Sequence, residues 1–119
     1  MAEVKTHTGG CHCGKVRYQV TVGLDRVISC NCSRCSKAGL LLAFVPRDRF
    51  LLTSGEGELS EYRFNTGKIQ HLFCRHCGIE SFAYGEGPGG VQMAAINVRC
   101  LDGIDLDSLT LTPFNGRDM

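Results

Sequence analysis

The stretch "KVRYQVTV", residues 15–22, alternates without a break. Val16, Tyr18, Val20 and Val22 fall on one face, and Lys15, Arg17, Gln19 and Thr21 fall on the other. That two-residue period is the mark of a strand with one buried side. Shorter runs of similar character follow: "LLLAFV" (40–45, stopped by Pro46), "LSEYRFN" (59–65), "KIQHLFC" (68–74), "IESFAYG" (79–85) and "GVQMAAINV" (90–98), with "LDSLTLTPF" (106–114) a weaker strand. Glycine punctuates them at Gly9-Gly10, Gly14, Gly23, Gly55, Gly57, Gly67, Gly78 and "GEGPGG" (85–90). Short strands between glycine-rich turns predict an all-β fold of antiparallel strands with few or no helices. "PRDRF" (46–50) suits a single helical turn, since proline is comfortable at a first helical position. "SRCSKAGLL" suits a short helix capped by Ser33. No repeat, low-complexity segment or long amphipathic helix interrupts this pattern.

A chain of 119 residues fits one domain spanning 1–119. It is long enough to bury roughly two thirds of its unfolded surface, so cross-links would help it. Thirteen basic and twelve acidic side chains give a formal charge of +1. Such a balance argues against an electrostatic nucleic-acid partner and against a polybasic membrane anchor. Trp is absent and aromatics are few, which weakens a base-stacking surface. No apolar run is long enough to span a bilayer, and "MAEVKTHTGG" lacks the apolar centre of a signal peptide. The expected address is the reducing cytoplasm, where disulfides are rare. The expected state is a monomer or homodimer.

Eight cysteines therefore need another explanation: Cys11, Cys13, Cys30, Cys32, Cys35, Cys74, Cys77 and Cys100. All but Cys100 lie in tight clusters, as metal ligands do when one turn serves one ion. "CRHCG" (74–78) is a Cys-x-x-Cys-Gly knuckle, and "CHCG" (11–14) is a Cys-x-Cys that leads into the alternating strand. Together Cys11, Cys13, Cys74 and Cys77 supply the four thiolates of a closed, structural zinc site. The competing reading is four core thiols without a metal.

Cys30, Cys32 and Cys35 in "SCNCSRCSKAG" (29–39) form a trio, one short of a closed tetrahedron. Three thiolates and a vacant position point to a catalytic zinc. Three electron-rich sulfurs blunt the metal's Lewis acidity, so an incoming thiol held as thiolate suits the site better than activated water. His12, His71, His76 or Cys100 would make the second site structural if one of them filled the vacancy. A metal-free redox trio is a further alternative. Elsewhere, "GLLLAF", Phe73, Phe82 and Tyr84 read as core, and Tyr62 as core or pocket. Asn97 reads as a turn anchor or ligand contact, and Cys100 as a small buried hydrophobe.

"GGCHCGKVRY", "CNCSRCSKAG", "FCRHCGIESF" and "AINVRCLDGID" stand in an order and spacing that resemble the glutathione-dependent formaldehyde-activating enzyme family, which also contains centromere protein V. The resemblance runs from Gly9 to about Asp107. It implies a β-tent zinc-binding fold, with structural zinc on Cys11, Cys13, Cys74 and Cys77. It also implies catalytic zinc on Cys30, Cys32 and Cys35, hence one ion at each of two sites. The implied activity is that of a carbon–sulfur lyase or synthase, joining formaldehyde and glutathione into S-(hydroxymethyl)glutathione. Glutathione is then the co-substrate, and Arg34, Lys37, Arg47 and Arg49 are the cations available to its carboxylates. The other functions in play are a non-catalytic zinc-binding interaction module and a labile zinc or thiol store.

Overall fold

The structure is a computed structural model that describes residues 4–30, 33–63 and 69–114. The alternating stretch forms β2 (Arg17–Val22), with Val16, Tyr18, Val20 and Val22 all buried, as its period requires. On one side β2 pairs with β1 (Lys5–Gly10), and on the other with β5 (Phe50–Ser54). Both pairings are antiparallel and complete a three-stranded sheet.

A seven-stranded sheet lies against it. Its strands in chain order are β3 (Val27–Cys30), β4 (Leu41–Pro46), β6 (Leu59–Tyr62), β7 (Gln70–Cys74), β8 (Phe82–Glu86), β9 (Gln92–Asn97) and β10 (Leu111–Phe114). Their spatial order is β10-β3-β4-β9-β8-β7-β6. The pairings are antiparallel except for β10 against β3, which is parallel and departs from the all-antiparallel expectation. Pro113 is tolerated because β10 is an edge strand, where a missing N–H costs no ladder bond. α1 (Ser33–Ala38) is the single α-helix among the described residues, and Ser33 is its first helical residue. Arg47–Arg49 form the expected single turn after Pro46. No helix among these residues is long and apolar enough to cross a membrane.

The core fills the space between the sheets. Tyr18 from β2, Phe50 from β5, and Phe82 and Tyr84 from β8 form one ring cluster. Centroid separations are 5.2 Å for Tyr18–Phe50, 4.7 Å for Phe50–Phe82 and 5.2 Å for Phe82–Tyr84. Tilted and edge contacts at this range add to the burial of the rings themselves. Val27, Val45, Ala94, Ile96 and Val98 complete the packing from the large sheet and its flanks. Two sequence expectations need correction. Phe44 is 47% exposed, because β4 alternates and its fourth side chain turns away from the core. Phe73 is only half-buried.

Gly9 and Gly10 read as a break, yet they end β1. A β-carbon at Gly9 would lie 2.7 Å from the Cys100 carbonyl oxygen and 2.8 Å from the Tyr18 hydroxyl. At Gly10 it would lie 2.1 Å from the Val16 carbonyl oxygen. These glycines therefore allow close approach of backbones within a sheet. They bring the end of β1, and the cysteine that follows it, down onto the core.

Candidate metal centre and adjoining cleft

Cys11 and Cys13 lie in the turn between β1 and β2, while Cys74 ends β7 and Cys77 lies in the turn that leads from it to β8. The first turn is closed by the Cys11 N–H donating to the Val16 carbonyl at 3.0 Å. In the second, the Gly78 N–H donates to the Cys74 carbonyl at 2.8 Å, and the Cys74 N–H donates to the Ile79 carbonyl at 3.0 Å. Gly78 has φ +80°, the left-handed conformation that this reversal demands. Backbone amides also aim at sulfur: Val16 N–H at Cys11 Sγ (3.3 Å) and His76 N–H at Cys74 Sγ (3.4 Å).

The four Sγ atoms all lie within 4.8 Å of one another. Cys11–Cys13 and Cys13–Cys74 are each 3.6 Å apart, sulfur to sulfur. Sulfurs bound to one zinc at about 2.3 Å sit roughly 3.8 Å apart along a tetrahedron's edges. The cluster thus has the size and donor set that could hold a metal ion. Its electrostatics call for one. At Cys77 burial opposes ionisation, but amides of Ile79 and Cys13 and the thiols of Cys74 and Cys11 bring the pKa down to about 6. Cys11 is also lowered: burial raises it, and the Val16 amide with the thiols of Cys13 and Cys74 outweighs burial. At Cys13 the Lys15 amide favours the thiolate, yet burial and the other three sulfurs push the thiol up to about 11. One or two charges are welcome among these sulfurs and the next is resisted. A bound cation removes that resistance.

Of the trio, Cys30 ends β3 and Cys35 is buried in α1, while Cys32 lies outside the described residues. Cys30 and Cys35 pack into one small cluster with Leu40, Leu42 and Ala95. On α1 opens a cleft of about 460 Å³ lined by Ser33, Arg34, Lys37, Ala38 and Tyr62. Two of the four suggested substrate cations, Arg34 and Lys37, are therefore brought together on α1. Arg47 and Arg49 are not: they follow the far end of β4, whose six residues span roughly 20 Å. Arg47 stacks over the Tyr84 ring, 3.5 Å from its centroid.

Arg34 is itself engaged. Its Nε and Nη2 donate to Oε1 of buried Glu80 at 3.1 and 2.6 Å, and its guanidinium carbon lies 4.7 Å from the Tyr62 ring centroid. His71, also buried, meets Glu80 through Nδ1 and Oε2 at 2.9 Å. His76 pairs with Glu58 through Nε2, and His12 is exposed. Cys100 is half-buried rather than fully buried; burial raises its pKa, and its thiol lies 3.8 Å from the Glu80 carbonyl oxygen. Asn97 fixes a turn by accepting from the Arg99 N–H, and it also donates to the Glu80 carbonyl. Glu80 escaped the sequence reading. Its one signal was phase: residue 80 alternates with Phe82 and Tyr84, which places a carboxylate in line with the core.

The family model for the glutathione-dependent formaldehyde-activating enzyme matches residues 6–112. The chain belongs to this family. Among solved structures, a crystal structure of a Rhodobacter sphaeroides protein is 30% identical, with a TM-score of 0.78. The likeness covers 89% of this chain and 97% of that one. The matched span takes in both cysteine turns of the four-thiol cluster and the whole of α1. The formaldehyde-activating family thus joins a thiol cofactor in its name to a fold whose cysteines cluster here as metal ligands do.

Proposed function

We propose that the protein is a zinc-dependent carbon–sulfur lyase or synthase acting on a glutathione adduct, such as S-(hydroxymethyl)glutathione. Cys11, Cys13, Cys74 and Cys77 would hold a structural zinc, and Cys30, Cys32 and Cys35 the catalytic one. The observation that carries the reading is the cleft on α1, which Arg34 and Lys37 line from the helix that bears Cys35. A zinc ion held by the trio would keep a substrate thiol ionised near neutral pH.

The rest of the work falls to the chain. Lys37 forms no ion pair among the described residues, so its ammonium is available to a substrate carboxylate. Arg34 is fixed on Glu80 and offers its remaining N–H groups from a set position. Tyr62 walls the cleft opposite α1. With the thiolate so oriented, its sulfur attacks the carbonyl carbon of formaldehyde. A carbon–sulfur bond forms, the carbonyl π pair moves onto oxygen, and the alkoxide takes a proton from water at the cleft mouth. This addition is intrinsically easy, so orientation and ionisation of the thiol are most of what catalysis needs. The reverse sequence releases formaldehyde.

Exchange NMR on formaldehyde and glutathione tests the substrate. Acceleration over buffer that Cys32→Ser abolishes, with the fold intact, is the expected result. Absence of acceleration removes the synthase. X-ray absorption at zinc tests the site separately: one sulfur should be added at one of two zincs when glutathione is titrated in. A single zinc with no response to glutathione favours a non-catalytic binding module.

A further inference from the structure

We propose that Glu80 is a positioning residue that sets the Cys30/Cys32/Cys35 site from the four-thiol centre, by clamping Arg34 of α1. The inference rests on the reading above, in which that trio holds a metal.

Glu80 follows Cys77 by three residues, and His71 precedes Cys74 by three. The residues that meet through the Glu80 carboxylate therefore sit on both arms of the Cys74–Cys77 turn. The backbone there is pinned. The Glu80 carbonyl accepts from Asn97 Nδ2 at 2.9 Å, and the next carbonyl, of Ser81, accepts from the Asn97 N–H at 3.0 Å. The side chain spans two elements: Oε2 faces His71 on β7, and Oε1 takes Nε and Nη2 of Arg34 on α1. Arg34 adjoins Cys35 in sequence, so whatever fixes Arg34 fixes the helix that aims a trio sulfur.

α1 needs such a clamp. A six-residue helix does not hold itself, and the first turn carries no acidic residue to favour it. Among the described residues, Cys35 packs with Leu40, Leu42, Cys30 and Ala95, the Gly39 carbonyl just past the helix accepts from Arg99 Nε at 2.9 Å, and Arg34 lies over Tyr62 and binds Glu80. The Arg34–Glu80 pair fixes direction from within the helix itself, next to Cys35, because a fork of two N–H groups on one oxygen tolerates little rotation. A buried ion pair is a poor source of stability, since apolar replacements often do as well. It is a good source of a unique arrangement, and a site whose vacant position must face a cleft needs one.

Cobalt titration of the reduced, metal-free full-length chain tests this, with the thiolate-to-cobalt charge-transfer and d–d bands as the readout. Wild type should fill in two phases. In Glu80→Gln the first phase should be unchanged, while the second weakens about tenfold and its d–d envelope shifts. Arg34→Gln cuts the same link from the other end and leaves Glu80 with His71. It should reproduce the effect, and the double variant should lose no more than either single one. Should Glu80→Gln not fold, Arg34→Gln alone decides. An unchanged second phase in the folded variants overturns the proposal. So does equal weakening of both phases with a lowered melting temperature, the mark of a purely structural pair. A single phase in wild type would show instead that the trio binds no metal, and the coupling falls with it.

Discussion

Chelating the metal from the four-thiol centre should unfold or nearly unfold this protein, and the size of the effect can be worked from the chain. Cys13 and Cys74, 3.6 Å apart at sulfur, are separated by 61 residues. Cross-linking positions that far apart removes roughly 4 kcal/mol of chain entropy from the unfolded state at 25 °C. Metal–sulfur bonding adds to this, and closed thiolate zinc sites contribute on the order of 10 kcal/mol in all. Domains of this size have only about 5–15 kcal/mol to lose. At roughly 4 °C per kcal/mol, the entropic part alone lowers the melting temperature by about 15 °C. The assay is thermal melting under reducing conditions with and without a strong zinc chelator, and with Cys74→Ser beside it. Both should fall by at least that amount, while Cys30→Ser, outside the closed cluster, should fall by a few degrees. A chelated protein that melts within about 3 °C of the untreated one would refute the reasoning. So would a Cys30→Ser loss equal to that of Cys74→Ser, since the two sulfur groups would then share one structural role.

Lys37→Ala should raise KM for glutathione about tenfold, with kcat and zinc content unchanged, because one charge-assisted contact is worth about 1.5–3 kcal/mol; steady-state kinetics and metal analysis check it. Gly9→Ala drives a β-carbon to 2.7 Å from a backbone oxygen and should cost about 1–3 kcal/mol in urea unfolding. Asp102 is held below the usual aspartate range, first by Arg17 and then by the Thr8 hydroxyl at 2.8 Å. Its contribution is therefore complete above the unfolded pKa of about 3.9 and disappears as pH falls through the lower, folded value. The pair is exposed, so Asp102→Asn should cost at most about 1 kcal/mol. The gap in urea midpoints should be equal at pH 7 and pH 5 and narrow only below about pH 4; a gap that widens on acidification contradicts the sign.

What the sequence made legible is what leaves a local mark. Cys-x-Cys and Cys-x-x-Cys-Gly reveal themselves because one turn must serve one ion, and all four sulfurs meet as their spacing suggests. β2 shows its buried face through an unbroken period. β1 left no such mark: its side chains are polar and its two glycines resemble a break, although they serve a close backbone contact. β3 is only four residues long, and β5 starts immediately after a 3₁₀ turn with one buried side chain, Phe50. Arg34–Glu80 was invisible because its partners are 46 residues apart and nothing near either one names the other. Arg47 and Arg49 misled for the opposite reason. Nearness along the chain put them beside the trio, and a strand of six residues carried them to its other end.

The same pairing decides how charge would be arranged around the substrate. A zinc held by three thiolates carries net charge near minus one, and glutathione arrives with net negative charge as well. At an effective dielectric of 20, two unit charges 8 Å apart repel by about 2 kcal/mol. Arg34 adjoins Cys35 in sequence, but its charge is already balanced by Glu80 at 2.6 Å, so the two together present little net field to the cleft. Arg47 and Arg49 lie too far off, beyond about two Debye lengths at physiological salt. On the proposed function, Lys37 would then be the cation on which attraction of an anionic thiol depends, while Arg34 would contribute direction rather than charge. On the proposed function, attraction and aim would thus be divided between neighbouring turns of one short helix: Lys37 would draw the substrate in, and Arg34, braced on Glu80, would hold still the helix that carries the sulfur it must meet.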